Sequence, residues 1–409
     1  MTTEYRPMRA DEFRQFMYND QIGFGGSTAD EMIAERLERT LDRPEMTLCA
    51  FEDGELVAQM ATAPFTMRWN GRDIGCGGVT SVSTLPTHRR RGHVRELMTR
   101  SFATMREQQQ PVAMLWASMA AIYQRFGYGI CFTRWSYELN PRELRYVDEI
   151  PIPGRVRLVK SEEAYPLLDA PYRRFAAPRS LMLTRSEEIW RKGILRPWTK
   201  EMAPFLVAVY EEVGEPLGYT IYFVERRDQP GGGPPLRLTA RELVWQTPAA
   251  HRALVNFLAG YDLASTVRLW MLPTDDPLFY MAQEPRDLHV DASDGTLVRI
   301  VDVPAALEGR GYDGDGRLSF SLADELCPWN AGSWELNVEG GCGRVRRLGS
   351  ADAAALCLNQ RALAMLASGY TSATLLARMG LVAAGDEKAL RCADDLFRTA
   401  YAALCLDMF

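Results

Sequence analysis

Read for the spacing of its apolar positions, the chain starts polar, carries an exposed helix over 31–40, and then breaks into short apolar runs separated by turn signals. Leu48-Cys49-Ala50-Phe51 and Leu56-Val57-Ala58-Gln59-Met60 flank Asp53-Gly54, a two-residue turn signal, so a hairpin is predicted there. Asn70-Gly71 supplies a second turn, and 79–85 reads as a third strand running straight into Pro86-Thr87-His88-Arg89-Arg90-Arg91-Gly92. A helix follows over 94–108, with Leu97, Met98 and Phe102 on one face. Next come a strand over 112–118, a short helix carrying Ile122-Tyr123-Gln124-Arg125-Phe126, a Gly127-Tyr128-Gly129 turn, and a closing strand over 131–139. This order predicts a mixed sheet with helices packed against it.

Pro141 and the Pro151-Ile152-Pro153-Gly154 cluster mark a boundary, after which the pattern repeats. Phe205-Leu206-Val207-Ala208-Val209-Tyr210, Gly214 and Leu217-Gly218-Tyr219-Thr220-Ile221-Tyr222-Phe223 restate the hairpin. Leu243-Val244-Trp245-Gln246-Thr247-Pro248-Ala249-Ala250-His251-Arg252 restates the strand-to-helix junction, and Val267-Arg268-Leu269-Trp270-Met271 restates Val112-Ala113-Met114-Leu115-Trp116. The second copy lacks the Arg-Arg-x-Gly element and reads as a duplicated fold that has lost its ligand site. Pro230-Gly231-Gly232-Gly233-Pro234-Pro235 reads as a flexible surface loop. From about residue 291 a third segment shows strands over 297–303, 318–322 and 334–338 and two helical stretches between 351 and 384, an α+β pattern. The expected domains are therefore 1–150, 151–290 and 291–409, in line with a 409-residue chain too long for one ordinary core. Termini are usually polar and frayed, but Ala402-Ala403-Leu404-Cys405-Leu406-Asp407-Met408-Phe409 is apolar and is predicted to dock inward.

Composition narrows the function classes. With 47% apolar and 24% charged residues the chain can bury a sizeable core. A net charge of -6 gives no general affinity for nucleic acid or anionic membrane and suits a cationic substrate. The eight cysteines form no CxxC pair, and no His stands at zinc-ligand spacing, so neither a metal site nor a disulfide framework is predicted. Neither a signal peptide nor an apolar run of membrane-spanning length is seen, which points to the cytoplasm.

The chemistry concentrates where the third strand meets its helix. A helix start offers unpaired backbone N–H groups and a partial positive charge, Gly92 permits close backbone approach, and arginine side chains add charge-assisted bonds, a combination that suits a pyrophosphate. Triple arginines elsewhere are usually just solvated; between a strand and a glycine, in an acidic chain, the phosphate cradle is the better reading. His88, His93, His251 and His289 are too scattered for a triad or metal site, and Gly23-Phe24-Gly25-Gly26 has the wrong spacing for a dinucleotide fingerprint and reads as a mobile loop near a substrate mouth. Asp313-Gly314-Asp315-Gly316-Arg317 lacks the fifth- and sixth-position residues of a calcium loop and reads as a turn.

Arg89-Arg90-Arg91-Gly92-His93-Val94 resembles the Arg/Gln-x-x-Gly-x-Gly/Ala motif of the GNAT superfamily, departing only in Val94. Residues 79–92 together with Ile122-Tyr123-Gln124-Arg125-Phe126-Gly127-Tyr128-Gly129 resemble more specifically the enhanced intracellular survival (Eis) family of bacterial acetyltransferases. That resemblance covers the whole chain and implies tandem GNAT-like domains of mixed α/β type followed by a sterol-carrier-protein-like α+β domain. It implies acetyl-CoA as co-substrate, without a metal, held at Val82, Ser83 and Thr84, at Arg90, Arg91, Gly92, His93, Val94 and Arg95, and at Ser118 and Met119. It further implies Tyr123 as general acid, the α-carboxylate of Phe409 as general base, an aminoglycoside-like or lysine-type amine as acceptor, and a homohexamer. The competing expectation is a non-catalytic acyl-CoA- or lipid-binding protein that uses its third domain as an interaction module.

Overall fold

A computed structural model of the chain describes residues 3–39, 43–197, 202–227, 235–349 and 354–409, with the side chains of 35–39 left aside. The loop expected over 230–235 lies outside the described residues, apart from Pro235.

Strands β1 (Thr3–Arg6), β2 (Thr47–Glu52), β3 (Glu55–Trp69), β4 (Arg72–Thr84), β5 (Val112–Trp116) and β6 (Gly129–Ile130) belong to the first sheet. Helices α1 (Phe13–Phe24), α2 (Asp30–Arg39), α3 (His93–Glu107) and α4 (Ala120–Gln124) accompany it. Both hairpin turns have two central residues at positive φ, Asp53 and Gly54 at 48° and 87°, Asn70 and Gly71 at 47° and 87°, the twist that antiparallel partners need. Helix α1 falls in the stretch read as a polar start; Phe13, Phe16 and Met17, at helical spacing, form its buried stripe. Gly23 and Phe24 are its last turn rather than a loop, and Gly25 ends it in the left-handed conformation.

Strand β7 (Thr133–Leu139) enters the second sheet, with β8 (Arg155–Val159), β9 (Leu206–Glu212), β10 (Glu215–Arg226), β11 (Leu236–Trp245), β12 (Ala264–Leu272) and β13 (Asp291–Asp294). Helices α5 (Ser161–Ala176), α6 (Glu187–Ile189), which runs into a π-turn over Trp190–Ile194, and α7 (Pro248–Ala259) belong to this half. Strand β14 (Thr296–Ile300) then returns to the first sheet, whose order is β1-β2-β3-β4-β5-β14-β6; the second is β13-β7-β12-β11-β10-β9-β8.

Two strand expectations are thereby corrected. The strand over 131–139 does not close the first sheet: β7 pairs antiparallel with β12, Leu139 opposite Val267. The strand over 297–303 does not open the third unit: β14 pairs antiparallel with β5, Leu115 opposite Leu297. Every residue of β14 is buried, so it needs a neighbour on both edges and a cover on both faces, which the centre of the first sheet supplies. Alternation announces a strand but not the sheet it joins.

The third sheet comprises β15 (Gly316–Ala323), β16 (Gly332–Glu339), β17 (Cys342–Arg347), β18 (Leu356–Asn359) and β19 (Val382–Ala384), in the order β17-β16-β15-β18-β19. Helices Gln360–Ala367, Ala373–Arg378 and Glu387–Phe397 pack on it. One apolar cluster runs through all three units, joining Met114, Ile221 and Leu336, so the site between them is held by continuous packing. Strand β5 divides the cores by alternation: Val112 and Met114 face that shared cluster, Ala113 and Leu115 face α3. All eight cysteines are free thiols.

Candidate active site

The parallel pair β4–β5 is hydrogen-bonded only over Cys76–Gly78 and Val112–Met114. Past that point the strands diverge. Strand β4 carries a register shift against β3 around Ser81, whose φ is 51°, and such a bulge redirects a strand. Thr84 stays paired with Ala58 and Ser83 with Gln59. Ser83 packs so closely on α1 that a Cβ at Gly23 would lie 2.6 Å from its own, and its Oγ is buried without a hydrogen-bond partner.

Helix α3 begins at Gly92, at φ 90°, with no side chain capping its first turn. A non-glycine residue there would be strained, and a serine or aspartate cap would cover the N–H groups that an anion needs. Arg89 and Arg90 are exposed, and among the described residues neither forms an ion pair. Arg91 is turned away: Nη1 lies 3.0 Å from Glu52, and Nη2 donates to the Thr87 carbonyl at 3.1 Å. His93 is buried, 3.1 Å from Glu52 by Nε2 and 3.2 Å from the Tyr5 hydroxyl by Nδ1. Glu52 thus holds the loop from inside through Arg91, with His93 beside it. Arg95 reaches Glu325 of the third unit at 3.3 Å. Val82 and Val94 pack against the cluster that contains Tyr123.

Ser118 and Met119 follow β5 and are exposed, Met119 at the N-terminus of α4. Tyr123, on α4, is buried, edge-on to Tyr128 at 6.1 Å. Burial raises its phenol above the ordinary value of 10.0. The turn after it is built for a neighbour. Gly127 has φ 85°, and a Cβ there would lie 1.9 Å from an Arg299 nitrogen. That buried arginine donates to the Phe126 carbonyl at 2.5 Å and to Asp324 at 2.7 and 2.9 Å. The Phe-Gly-Tyr-Gly segment therefore couples the Tyr123 helix to the third unit.

On the other face of the first sheet lies a cavity of about 770 Å³, between α1, the middle of β3, the Ser81 bulge, residues 183–196 and the tail ending in Phe409. The Phe409 ring sits 4.9 Å from that of Phe65, and a Cβ at Gly78 would come within 3.0 Å of it, so the last residue lies where β4 and β5 part. Tyr123 is not among the residues lining this cavity. Tyr123 belongs to the apolar cluster that includes the buried face of α3, and Phe409 packs against the cluster shared by the three units.

The tail is held by a buried ion cluster. Arg185 donates from Nε to Asp407 at 2.8 Å and from both terminal nitrogens to Glu242 at 2.8 Å. Tyr172 donates to Asp407 at 3.2 Å, Tyr219 donates to Glu242, and Trp116 donates to the Asp407 carbonyl at 2.6 Å. The Arg185 guanidinium also lies over the Tyr172 ring, 3.9 Å from its centroid. Its pKa stands well above the ordinary value because both carboxylates favour the charge, although burial alone pulls it down. Sequence reasoning missed Arg185 and Glu242; a lone arginine or glutamate carries no signal until the fold buries it beside a counter-charge.

Family comparisons agree with this architecture. Acetyltransferase (GNAT) domain models match residues 4–131 and 181–300, and a sterol carrier protein domain model matches 303–406. An uncharacterized N-acetyltransferase of Streptomyces avermitilis is 31% identical, covering 98% of both chains. N-acetyltransferase Eis of Mycobacterium tuberculosis is 31% identical over 78% of this chain and 77% of its own. The chain belongs to the Eis family of N-acetyltransferases. The crystal structure of Eis1 from Mycobacterium abscessus covers both chains fully at 28% identity, with a TM-score of 0.82. A GCN5-related N-acetyltransferase from Anabaena variabilis, at 21% identity and a TM-score of 0.86, shares the fold.

As an Eis-type GNAT enzyme the chain is an acyl-CoA-dependent acetyltransferase, and acetyl-CoA supplies a thioester-activated acetyl group. The residues fit that donor: a bare helix N-terminus with Arg89 and Arg90 free to meet phosphate, and a strand gap with unpaired backbone beyond Gly78. No helix among the described residues is long and apolar enough to cross a membrane.

Proposed function

We propose that this enzyme transfers acetyl from acetyl-CoA to a primary amine of aminoglycoside-like or lysine type by direct attack, with Tyr123 as general acid and the α-carboxylate of Phe409 as base. Donor binding is assigned to Val82, Ser83 and Thr84 along β4, to 90–95 around Gly92, and to Ser118 and Met119. The observation that carries this reading is the anchored tail, because Asp407 in the grip of Arg185 fixes Phe409 at the strand gap.

Burial of Tyr123 disfavours phenolate, so the group stays a proton donor through the neutral range. An ordinary phenol near 10 gives its proton uphill to a thiolate near 8.5 at about 2 kcal/mol; burial of Tyr123 adds to that cost, and desolvation of the departing thiolate offsets it. An α-carboxylate near 3.5 is a weak base for an ammonium near 10, so Phe409 acts best by orienting an amine that is already neutral and relaying its proton through water. Within that loop Arg91 also pairs with Glu52, with His93 close by. The reading also carries a homohexamer acting in the cytoplasm, for which light scattering gives the assembly.

The test is release of CoA thiol over a panel of aminoglycosides, polyamines and lysine peptides, with Phe409 as the untagged last residue. Tyr123→Phe should lower kcat by about 10²-fold and leave KM for acetyl-CoA within a few-fold. Because burial raises the phenol, the wild-type rate should show no decline attributable to Tyr123 as pH rises to about 10. Full activity in Tyr123→Phe, or after removal of Phe409, overturns the assigned roles. Tight CoA binding without turnover of any amine favours the non-catalytic binding protein.

A further inference from the structure

Tyr123 stands on a helix too short to hold itself. Helix α4 has five residues, and no side chain caps its start at Met119. Fixing the first turn of a helix costs more than its few hydrogen bonds return, so the position of α4 is set by what grips it from outside. The grips come from chain far downstream. Arg299, on β14, donates from Nη1 to the Phe126 carbonyl at 2.5 Å, just past the helix end. Arg361, in the third unit, donates from Nη1 to Gln124 Oε1 at 2.8 Å, on the residue next to Tyr123.

The two arginines belong to one frame. Asp324 accepts from Arg299 with both oxygens and from Gln360 Nε2 at 2.5 Å, which ties β14 to the first residue of the helix Gln360–Ala367. Arg361 is the second residue of that helix, whose start is capped by the Asn359 side chain accepting from the Ala362 N–H at 3.0 Å. The frame lies close against the turn after Tyr123: a Cβ at Gly127 would come 2.9 Å from that of Gln360, and one at Gly129 2.7 Å from the Arg361 carbonyl oxygen. The apolar cluster around Tyr123 also takes in Leu326 and Cys327 of the third unit. Arg299 and Asp324 are buried, so neither can be removed without stranding the other. Arg361 and Gln124 are only half-buried, and water can replace either partner of their bond.

Resting on the reading of Tyr123 as general acid, we infer that Arg361 is a positioning residue for acetyl transfer: its bond to Gln124 fixes α4 so that the Tyr123 hydroxyl is aimed at the departing thiolate. The third unit then serves the proton transfer of the first as well as supplying the tail. A helix released at its C-terminal end pivots about its start, where 117–119 join it to β5, so the hydroxyl moves while Ser118 and Met119 stay near their places. Misplacing a catalytic group by about 1 Å costs up to about 10²-fold in rate. Donor binding, set elsewhere by β4 and the start of α3, is spared.

The experiment places Arg361→Ala and Arg361→Lys in the wild type and in Tyr123→Phe, with CoA-thiol release and urea unfolding measured for each. In the wild type Arg361→Ala should lower kcat by about tenfold, with KM for acetyl-CoA and for the amine within a few-fold. Arg361→Lys, which can still donate to Gln124, should recover most of that loss. In Tyr123→Phe the alanine substitution should cost nothing further, because no phenol proton is left to aim. A bond that only holds the units together predicts a lower urea midpoint with kcat unchanged, or equal kcat losses in the two backgrounds, and either result overturns the inference. Full activity in Tyr123→Phe means instead that the acid assignment has failed, and amide hydrogen exchange then decides whether Arg361 grips α4. The N–H groups of Ile122, Phe126 and Gly127 bond within this turn, and their exchange should quicken about tenfold in Arg361→Ala while that of β5 holds. Unchanged exchange there overturns the grip as well.

Discussion

At the first strand-to-helix junction β4 gives way to residues 85–92 before α3 begins; at the second, β11 gives way to Gln246 and Thr247 before α7 begins at Pro248. The first helix starts at Gly92 with no side-chain cap, whereas Thr247 Oγ1 accepts from the Ala250 N–H at 3.1 Å. Pro248 removes a further donor. Both junctions keep a buried histidine beside a carboxylate, His93 at 3.1 Å from Glu52 and His251 at 3.3 Å from Asp276. The arginines part ways. Arg89 and Arg90 face solvent, while Arg252 is 3% exposed, 3.3 Å from the Tyr146 ring centroid and bonded to the Asp148 carbonyl. The duplicated unit therefore differs at this junction in two ways, satisfying its helix N-terminus internally and turning its cation into packing. What it contributes instead is Glu242 on β11, which holds Arg185 and through it the tail.

If that division holds, damage in the second unit should appear as lost stability and lost tail placement, and damage at the first junction as lost acetyl-CoA affinity. The largest effect belongs to Arg185→Leu, which takes from Glu242 and Asp407 the cation that bonds to both. Breaking a buried pair in this way costs about 3–5 kcal/mol, read as a lower urea midpoint. Replacing the set together, Arg185→Met with Glu242→Leu and Asp407→Leu, should recover much of that stability, since the desolvation penalty is gone as well. Turnover should stay low in the triple variant, because nothing then fixes the tail; recovery of kcat alongside stability would show that the cluster has no positioning role.

Next in size is Gly92→Val. A left-handed backbone costs a residue with a Cβ about 1–2 kcal/mol, and relieving it moves the N–H groups of the first turn. KM for acetyl-CoA should rise tenfold or more, with little change in the amine KM. Below that stands the arginine pair. Arg90→Ala should weaken acetyl-CoA by about tenfold, one charge-assisted bond being worth about 1.5–3 kcal/mol at most, and the loss should shrink at high salt. Arg252→Ala should leave acetyl-CoA untouched and lower the Tm. Equal effects of the two substitutions on KM would erase the contrast between the junctions.

The hairpins, the repeat and the first junction were legible because their signals are local: paired turn residues, strand-length apolar runs, glycine after arginines. The inward-docked tail was legible too, with Leu404, Cys405 and Leu406 buried as their apolar character requires. Sheet membership was not, since β7 and β14 exchange sheets through pairings between residues far apart in sequence. Nor was the closeness of Glu52 to Arg91 and His93, which joins strand-end and helix-start residues about forty positions apart. The candidate acid and base were named from the sequence only by family resemblance; the cluster around Arg185 needed three distant segments to meet.

The smallest predicted effect is the most discriminating for the sealed junction. Thr247→Ala removes the one side-chain acceptor at the start of α7, and loss of an N-cap costs about 1 kcal/mol. In a protein of this size that is a shift of about 2 °C or less in Tm, since the unfolding entropy grows with chain length. The substitution also re-exposes N–H groups at a helix start that once, by the internal repeat, matched the cofactor-binding one. If Thr247 alone kept the start of α7 from taking a pyrophosphate, the variant would gain a weak second site for one. It should not, because Pro248 still lacks a donor, Arg252 still points inward, and no glycine at positive φ precedes the helix to let a phosphate close. Calorimetric titration with CoA should therefore show one site per chain in Thr247→Ala as in the wild type, and a second would mean that the cap alone had closed it.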